Sequence, residues 1–311
     1  MVTASGLTAL VEAAVAEPAG SLIYGASFEN HPALVARLAE RHALLGNAPE
    51  TLRAVRDPVR LGATLHDAGL PFPSLTVSRG LRKPLRGGGG VRVRNWRGGG
   101  LPAGMYAQER IAGLPCSVAA VADGVDATVL GVTEQLIGER AFGVRGYRWC
   151  GNLTPPRLPP GERRALLDQA RTICSCLAAA FALRGCFGVD FIWDGERAWT
   201  HEVNPRPTAS LELVAGAFEA HLQACAGALP RVEATRPGAA GKAVLFAIED
   251  VIVGELDGVR DVPHPGERIA AGHPVCTVVA SATTPEEVYA ALQAQAARVR
   301  AQLRVEVPAD G

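Results

Sequence analysis

Residues 188–207 read GVDFIWDGERAWTHEVNPRP, and three of them carry side-chain oxygens that could meet: Asp190, Glu202 and Asn204. Glu202 and Asn204 stand two apart on what reads as a strand, so both point to one face. Asp190 lies on the preceding strand. An odd-numbered loop centred on residue 195 or 196 puts it on that same face, and a two-residue Asp194-Gly195 turn would put it on the other. We expect the odd loop. Hard divalent cations take such oxygen ligands, and Mg²⁺ in particular shares them with substrate phosphates. The competing reading is a solvated hairpin with ordinary exposed charges. His201 and His264 are candidate bases, although lone histidines more often serve structure.

A second chemical feature lies upstream. Lys83-Pro84 is followed by Arg86 and by Gly87, Gly88, Gly89 and Gly90. Glycines allow backbone N–H groups to approach phosphate closely, and a nearby lysine adds a compact charge. No Gly-Lys-Ser/Thr closes the loop, so it is not a Walker A sequence, nor does it read as a Rossmann fingerprint. Lysine is scarce: Lys83 and Lys242 are the only two among 31 basic residues. A flexible linker and an RGG-like RNA-binding segment are the alternatives. Trp96 is the only aromatic residue within 82–97, and VRVR alternates like a strand, which weighs against RNA.

The elements that must position these groups follow from pattern. Helices are expected at 7–17, 32–42, 49–56, 58–69, 160–183, 211–226 and 284–303, the last with Pro285 in its first turn. Strands are expected at 21–25, 44–46, 116–122, 127–133, 187–193, 198–203, 243–248 and 275–280. Residues 81–106 read as strand, glycine loop, strand and second glycine loop, and 106–112 as an extended connector. A polar linker is expected from Pro230 to Gly241. The chain has 311 residues, 48% apolar and 20% charged, an ordinary globular composition. Its zero net charge gives no general drive towards nucleic acid or anionic membrane. No run approaches 18 apolar residues. Seven scattered cysteines form no Cys-x-x-Cys pair, and an odd count without a leader pattern suggests a reducing, cytoplasmic setting.

The two features in this order resemble the ATP-grasp superfamily. LGNAPETLRAVRDP…LHDAGLPFP, RKPLRGGGG, YAQERIAGLPCSVAAVADG and GVDF…HEVNPRPTASLEL carry the likeness over roughly residues 44–226. A narrower likeness points to the ligases of methanofuran- and methanopterin-type coenzyme pathways, tyramine–glutamate ligase among them. The resemblance implies an α/β fold of two α+β lobes gripping ATP. It divides the chain into a short pre-ATP-grasp unit (1–47), a first lobe with the glycine loop (48–107), a second lobe with the metal hairpin (108–230) and C-terminal strands and helix (231–311). It implies that Lys83 contacts the ATP phosphates beneath glycines 87–90. Gln108 would meet the adenine amino group, and the backbones of Glu109 and Ile111 would read the adenine edge. Asp190, Glu202 and Asn204 would hold Mg²⁺, with Mn²⁺ an acceptable substitute, and Arg206 would stabilise the transferred phosphate or a substrate carboxylate.

The activity so implied is a carboxylate–amine ligase that forms an amide through an acyl phosphate. Its partners are small-molecule acids and amines, without nucleic acid or membrane, and homodimers are compatible with it. Three departures stand out. Pro115 occupies the place of a ribose-binding glutamate. Only Arg56 and Arg60 are available where a second phosphate lysine is usual. The N-terminal region reads as lacking the opening strands of the usual pre-ATP-grasp domain. The rival readings are another ATP-grasp chemistry, such as carboxylation or phosphoryl transfer, and a nucleotide-binding protein without ligase activity.

Overall fold

The computed structural model describes residues 6–231 and 238–305. Its described residues group into two units. One comprises 6–88, 95–132 and 160–231; the other comprises 89–94, 133–159 and 238–305. The chain passes from the first to the second inside the strand Ala127–Ile137. The expected linker at 230–241 falls partly at 232–237, outside the described residues.

The first unit opens with the helix Leu7–Ala16 and a short parallel pair, Ser21–Leu22 with Ala43–Leu44. A 3-10 turn at Phe28–Asn30 precedes the helices Pro32–Ala39, Pro49–Val55 and Pro58–Asp67. Each of these three helices has proline in its first turn, where its missing N–H costs no intrahelical hydrogen bond. Asp57 caps the last through its Oδ1, which accepts from Val59 N at 2.9 Å and Arg60 N at 3.3 Å. Val11, Tyr24, Val35, Leu38 and Leu52 form the core of this region. The strand Gly80–Pro84 then pairs antiparallel with Met105–Gln108, setting Lys83 opposite Tyr106.

The main sheet of this unit runs Ala198–Asn204, Arg184–Trp193, Leu114–Asp123, then the start of Ala127–Ile137. Phe187, Val189, Phe191 and Trp193 alternate along their strand and are 0–2% exposed. They face the long helix Pro160–Phe181, whose Leu166, Ala170, Ile173, Leu177 and Phe181 recur at helical spacing. Trp193 Nε1 donates to Glu162 Oε2 of that helix at 2.8 Å. Gln169 fastens the hairpin end from both sides: its Nε2 donates to Glu196 O at 2.7 Å and its Oε1 accepts from Ala198 N at 2.8 Å. The opposite sheet face is thereby left for Asp190.

The single helix expected at 211–226 is instead a 3-10 turn, Ala209–Leu213, and a helix, Ala217–Cys225. Gly216 breaks it, with φ at +70°.

In the second unit, the later part of Ala127–Ile137 is followed in the sheet by Trp149–Thr154, Ala239–Phe246 and Pro274–Ala282. Trp149–Thr154 has no counterpart among the expected strands. Helix Pro285–Gln302 packs Val288, Leu292 and Ala296 into a core with Leu153, Leu245 and Val278. Thr284 and Glu287 form a capping box at its start.

Candidate functional site

The hairpin turn contradicts the odd loop expected from sequence. Trp193 pairs with Ala198, so four residues, 194–197, make the turn. Asp194 organises it, accepting from Glu196 N at 2.9 Å and Arg197 N at 2.7 Å. An even loop alone would pair Asp190 with His201 and turn Glu202 away. A bulge between Thr200 and Glu202 inserts one residue and restores the face, so that Glu202 stands directly opposite Asp190. The expected convergence therefore occurs, by a different cause.

Around this pair the polar groups are closely connected. Asp190 accepts from Asn204 Nδ2 at 3.0 Å and also from the Ser117 side chain, its partner on the neighbouring strand. Burial first, then the Glu202 charge, push the Asp190 carboxyl up to about 6. Burial also disfavours charge on Glu202, but Arg56 and Lys83 outweigh it and hold that carboxyl down at about 2. Arg56 is the direct counter-ion of Glu202. The same guanidinium donates to Val203 O at 3.3 Å, Asn30 Oδ1 at 3.2 Å and Gly87 O at 2.9 Å. Asn30 Oδ1 accepts from Gly87 N at 3.2 Å, so Gly87 is held at both its backbone groups.

Lys83 is 7% exposed, and its hydrogen-bond partners among the described residues are neutral. Its Nζ donates to Gln108 Oε1 at 3.0 Å, to His201 Nδ1 at 3.2 Å and to His201 O at 3.3 Å. Burial lowers its pKa, and the charges of Glu202 and Asp190 partly counter that. His201 is pushed down to about 3 by burial and by Lys83, so its ring is neutral near pH 7 with Nδ1 already engaged. That leaves the imidazole poorly suited to act as the base considered from sequence. Gln108 is 2% exposed; its Oε1 serves Lys83, and its Nε2 is buried without a partner. Among the groups expected at the adenine edge, Glu109 N donates to Ser74 O at 2.8 Å, and Glu109 Oε2 accepts from Ser74 N at 3.2 Å. Ile111 lies in the unpaired connector before Gly113.

Arg206 forms an ion pair from Nε to Glu29 Oε1 at 2.8 Å and donates from Nη2 to Asn204 Oδ1 at 3.3 Å. Of the four loop glycines, Gly87 and Gly88 belong to the first unit, Gly89 and Gly90 to the second. Gly89 O accepts from Trp149 N at 3.0 Å. A side chain on Gly90 would collide with the Tyr147 carbonyl, and φ there is +70°, so only glycine suits the position.

In the sequence Arg56 stands out only as a substitute cation, and Glu29, Asn30 and Tyr106 carry no motif. The polar pair Glu29-Asn30 before His31-Pro32 was a usable signal, because buried polar residues at a helix start need partners. Among the described residues, no group of three or more His, Cys, Asp and Glu could hold a metal ion. The hairpin set is two carboxylates and a carboxamide.

A family model described as an ATP-grasp domain matches residues 55–210, half of the chain. A curated relative, the formate-dependent phosphoribosylglycinamide formyltransferase of Methylococcus capsulatus, is 32% identical over 169 residues; the match covers 50% of this chain and 40% of the relative. The chain thus spans well under half the length of that relative. Among solved structures, the Campylobacter jejuni biotin carboxylase complex with β,γ-ATP aligns with a TM-score of 0.70 and 16% identity, covering 96% of this chain and 78% of that one. The biotin carboxylase domain dimer of the Hydrogenobacter thermophilus 2-oxoglutarate carboxylase, solved with MgADP, gives 0.70 and 15% over 96% and 77%. At such identities these two likenesses speak to the fold alone. Both agree with the α+β ATP-grasp architecture expected from the motifs. By the match across residues 55–210, which takes in the Lys83 strand, the glycine loop and the hairpin of Asp190, this chain belongs to the ATP-grasp family.

Proposed function

We propose that the chain is an ATP- and Mg²⁺-dependent carboxylate–amine ligase. The observation that carries this reading is the buried Lys83 amine, held by neutral acceptors and bonded to the backbone beside Glu202, close enough to Glu202 and Asp190 for both charges to act on it. A buried ammonium without a contacting carboxylate is costly, and phosphate oxygens would satisfy it. The unpartnered Gln108 Nε2 likewise fits a site built for a polar ligand.

The donor set suits the expected groups. Asp190, Glu202 and Asn204 offer the hard oxygens that Mg²⁺ prefers, with phosphate oxygens completing the shell. When bound, Mg·ATP would supply the phosphoryl group that activates a substrate carboxylate, with ADP leaving. Lys83 would bind phosphate oxygens, and turning towards them would free Gln108 Oε1 to accept from the adenine amino group. Arg206 lies beside Asn204 and would neutralise charge on the transferred group. Arg56 and Asn30 hold Gly87, fixing one end of the loop that would exclude water from the acyl phosphate. An amine attacking the acyl carbon would form the amide, release phosphate and give up a proton. The adenine-edge role of Ile111 and of the Glu109 carbonyl stays part of this proposal.

The motif likeness to methanofuran- and methanopterin-type ligases suggests a coenzyme pathway. The curated relative reported above carries a formyltransferase name instead, so formate is the other acid to be tested. A screen of acids and amines for ATP-dependent mass gain and ADP release checks the proposal. A dehydrated acid–amine adduct formed only with both partners, ATP and Mg²⁺ supports it. Phosphoryl transfer or carboxylation without such an adduct overturns it.

A further inference from the structure

A cleft of about 820 Å³ opens within the first unit, beside the polar cluster rather than in it. Lys83, Gln108 and Asp190 do not line it. Arg56 does, and through its pairing with Glu202 it links the two. The walls are largely apolar: Leu75, Leu101 and Met105 stand with the rings of Trp96 and Tyr106. Such a lining favours a ligand with a hydrocarbon or aromatic body.

Charged side chains also reach the cleft, Arg53, Asp57 and Arg86 among them, and part of the polar lining is unsatisfied. Glu29, Arg56 and Trp96 all line the cleft, and each has one buried polar atom without a partner: Glu29 Oε2, Arg56 Nε and Trp96 Nε1. The Glu29 side chain is only 1% exposed, and its other oxygen is taken by Arg206. Buried polar atoms are normally paired, and three orphans on residues that line one cavity point to the groups a ligand would bring to them. Glu29 Oε2 asks for a donor, best a cationic one. Arg56 Nε and Trp96 Nε1 ask for acceptors, and a guanidinium prefers a carboxylate.

We propose that this cleft binds the acid to be activated, and that the acid is an α-amino acid with an apolar or aromatic side chain. Its ammonium meets Glu29, its carboxylate meets Arg56 at the border of the Lys83–Glu202 cluster, and its side chain occupies the wall around Leu101 and Trp96. The inference rests on the ligase reading for the role of that acid, but binding in the cleft is measured without turnover.

Calorimetric titration of the full chain with L-phenylalanine tests it, against three probes: 3-phenylpropanoate lacks the ammonium, phenethylamine lacks the carboxylate, and formate lacks the body. L-Phenylalanine is expected to bind at least tenfold more tightly than each. Leu101 is 37% exposed, so Leu101→Trp narrows the cleft with little burden on folding. That variant should weaken L-phenylalanine at least tenfold and leave Mg·ATP affinity within twofold. Trp96→Phe, which keeps the ring and removes the donor, should weaken it several-fold. Equal binding of formate or 3-phenylpropanoate, or an unchanged affinity in Leu101→Trp, overturns the assignment. If L-phenylalanine binds as stated while Mg·ATP does not bind at all, the cleft stands and the ligase reading falls.

Discussion

Asp190 is a carboxylate kept where the fold disfavours its charge, and replacing it with asparagine should stabilise the metal-free protein. Burial and the facing Glu202 raise its pKa from 3.8 to about 6. Each pKa step of one is about 1.4 kcal/mol, so ionised Asp190 costs the folded state about 3 kcal/mol at pH 7. The sign follows from the raised value. Below about pH 4 the group is protonated in both folded and unfolded chains and costs nothing. As pH rises through 4 to 6, the unfolded chain releases its proton more readily, and stability is lost. A carboxamide in its place would carry no charge, and its oxygen could still accept from Asn204 Nδ2. Thermal melts of wild type and Asp190→Asn in EDTA, from pH 3.5 to 7.5, provide the assay. The two should coincide near pH 3.5 and separate by roughly 4–6 °C at pH 7, the variant higher. Added Mg²⁺ with ATP should raise the wild-type Tm and leave the variant nearly unmoved. A variant that is less stable at pH 7, or a gap that does not change with pH, would refute the reasoning.

The Arg56–Glu202 pair behaves in the opposite sense. Glu202→Gln removes the counter-charge of a largely buried guanidinium, which should cost about 3–5 kcal/mol and abolish Mg²⁺-dependent turnover. Because Glu202 is held down at about 2, that stability is fully present above about pH 4.5 and is lost as pH falls towards 2; melts against pH should show the gap closing only there. Arg56→Lys keeps the charge but cannot span Asn30, Gly87 and Glu202 together. Limited proteolysis should then cut within 85–90 faster than in wild type.

Much of this arrangement can be read from residue order, because local signals agree with it. The Asp57-Pro58 cap, the Pro159-Pro160-Gly161 start of the long helix and the alternation of Phe187, Val189, Phe191 and Trp193 each have short-range causes. The hairpin shows where that reasoning ends. Its face depends on loop parity plus a bulge at His201, and no residue type announces a bulge there. Trp149–Thr154 (WCGNLT) gives no strand signal because Gly151 and Asn152 dilute its strand character; its pairing with Ala239–Phe246 is a long-range contact. Glu29, Asn30 and Arg56 meet residues of the glycine loop and hairpin as far as 177 positions away along the chain, as Glu29 meets Arg206, a distance that no local pattern records.

Isothermal titration of ATP, with and without Mg²⁺, into wild type and Lys83→Met tests the central proposal most directly. The account predicts Mg²⁺-dependent binding at one site per chain, weakened roughly 10–150-fold in Lys83→Met, as loss of one charge-assisted hydrogen bond of about 1.5–3 kcal/mol requires. The folded state of that variant should be no less stable, since a buried cation has been removed. No heat of binding in the wild type, or an affinity unchanged by the substitution, would contradict it.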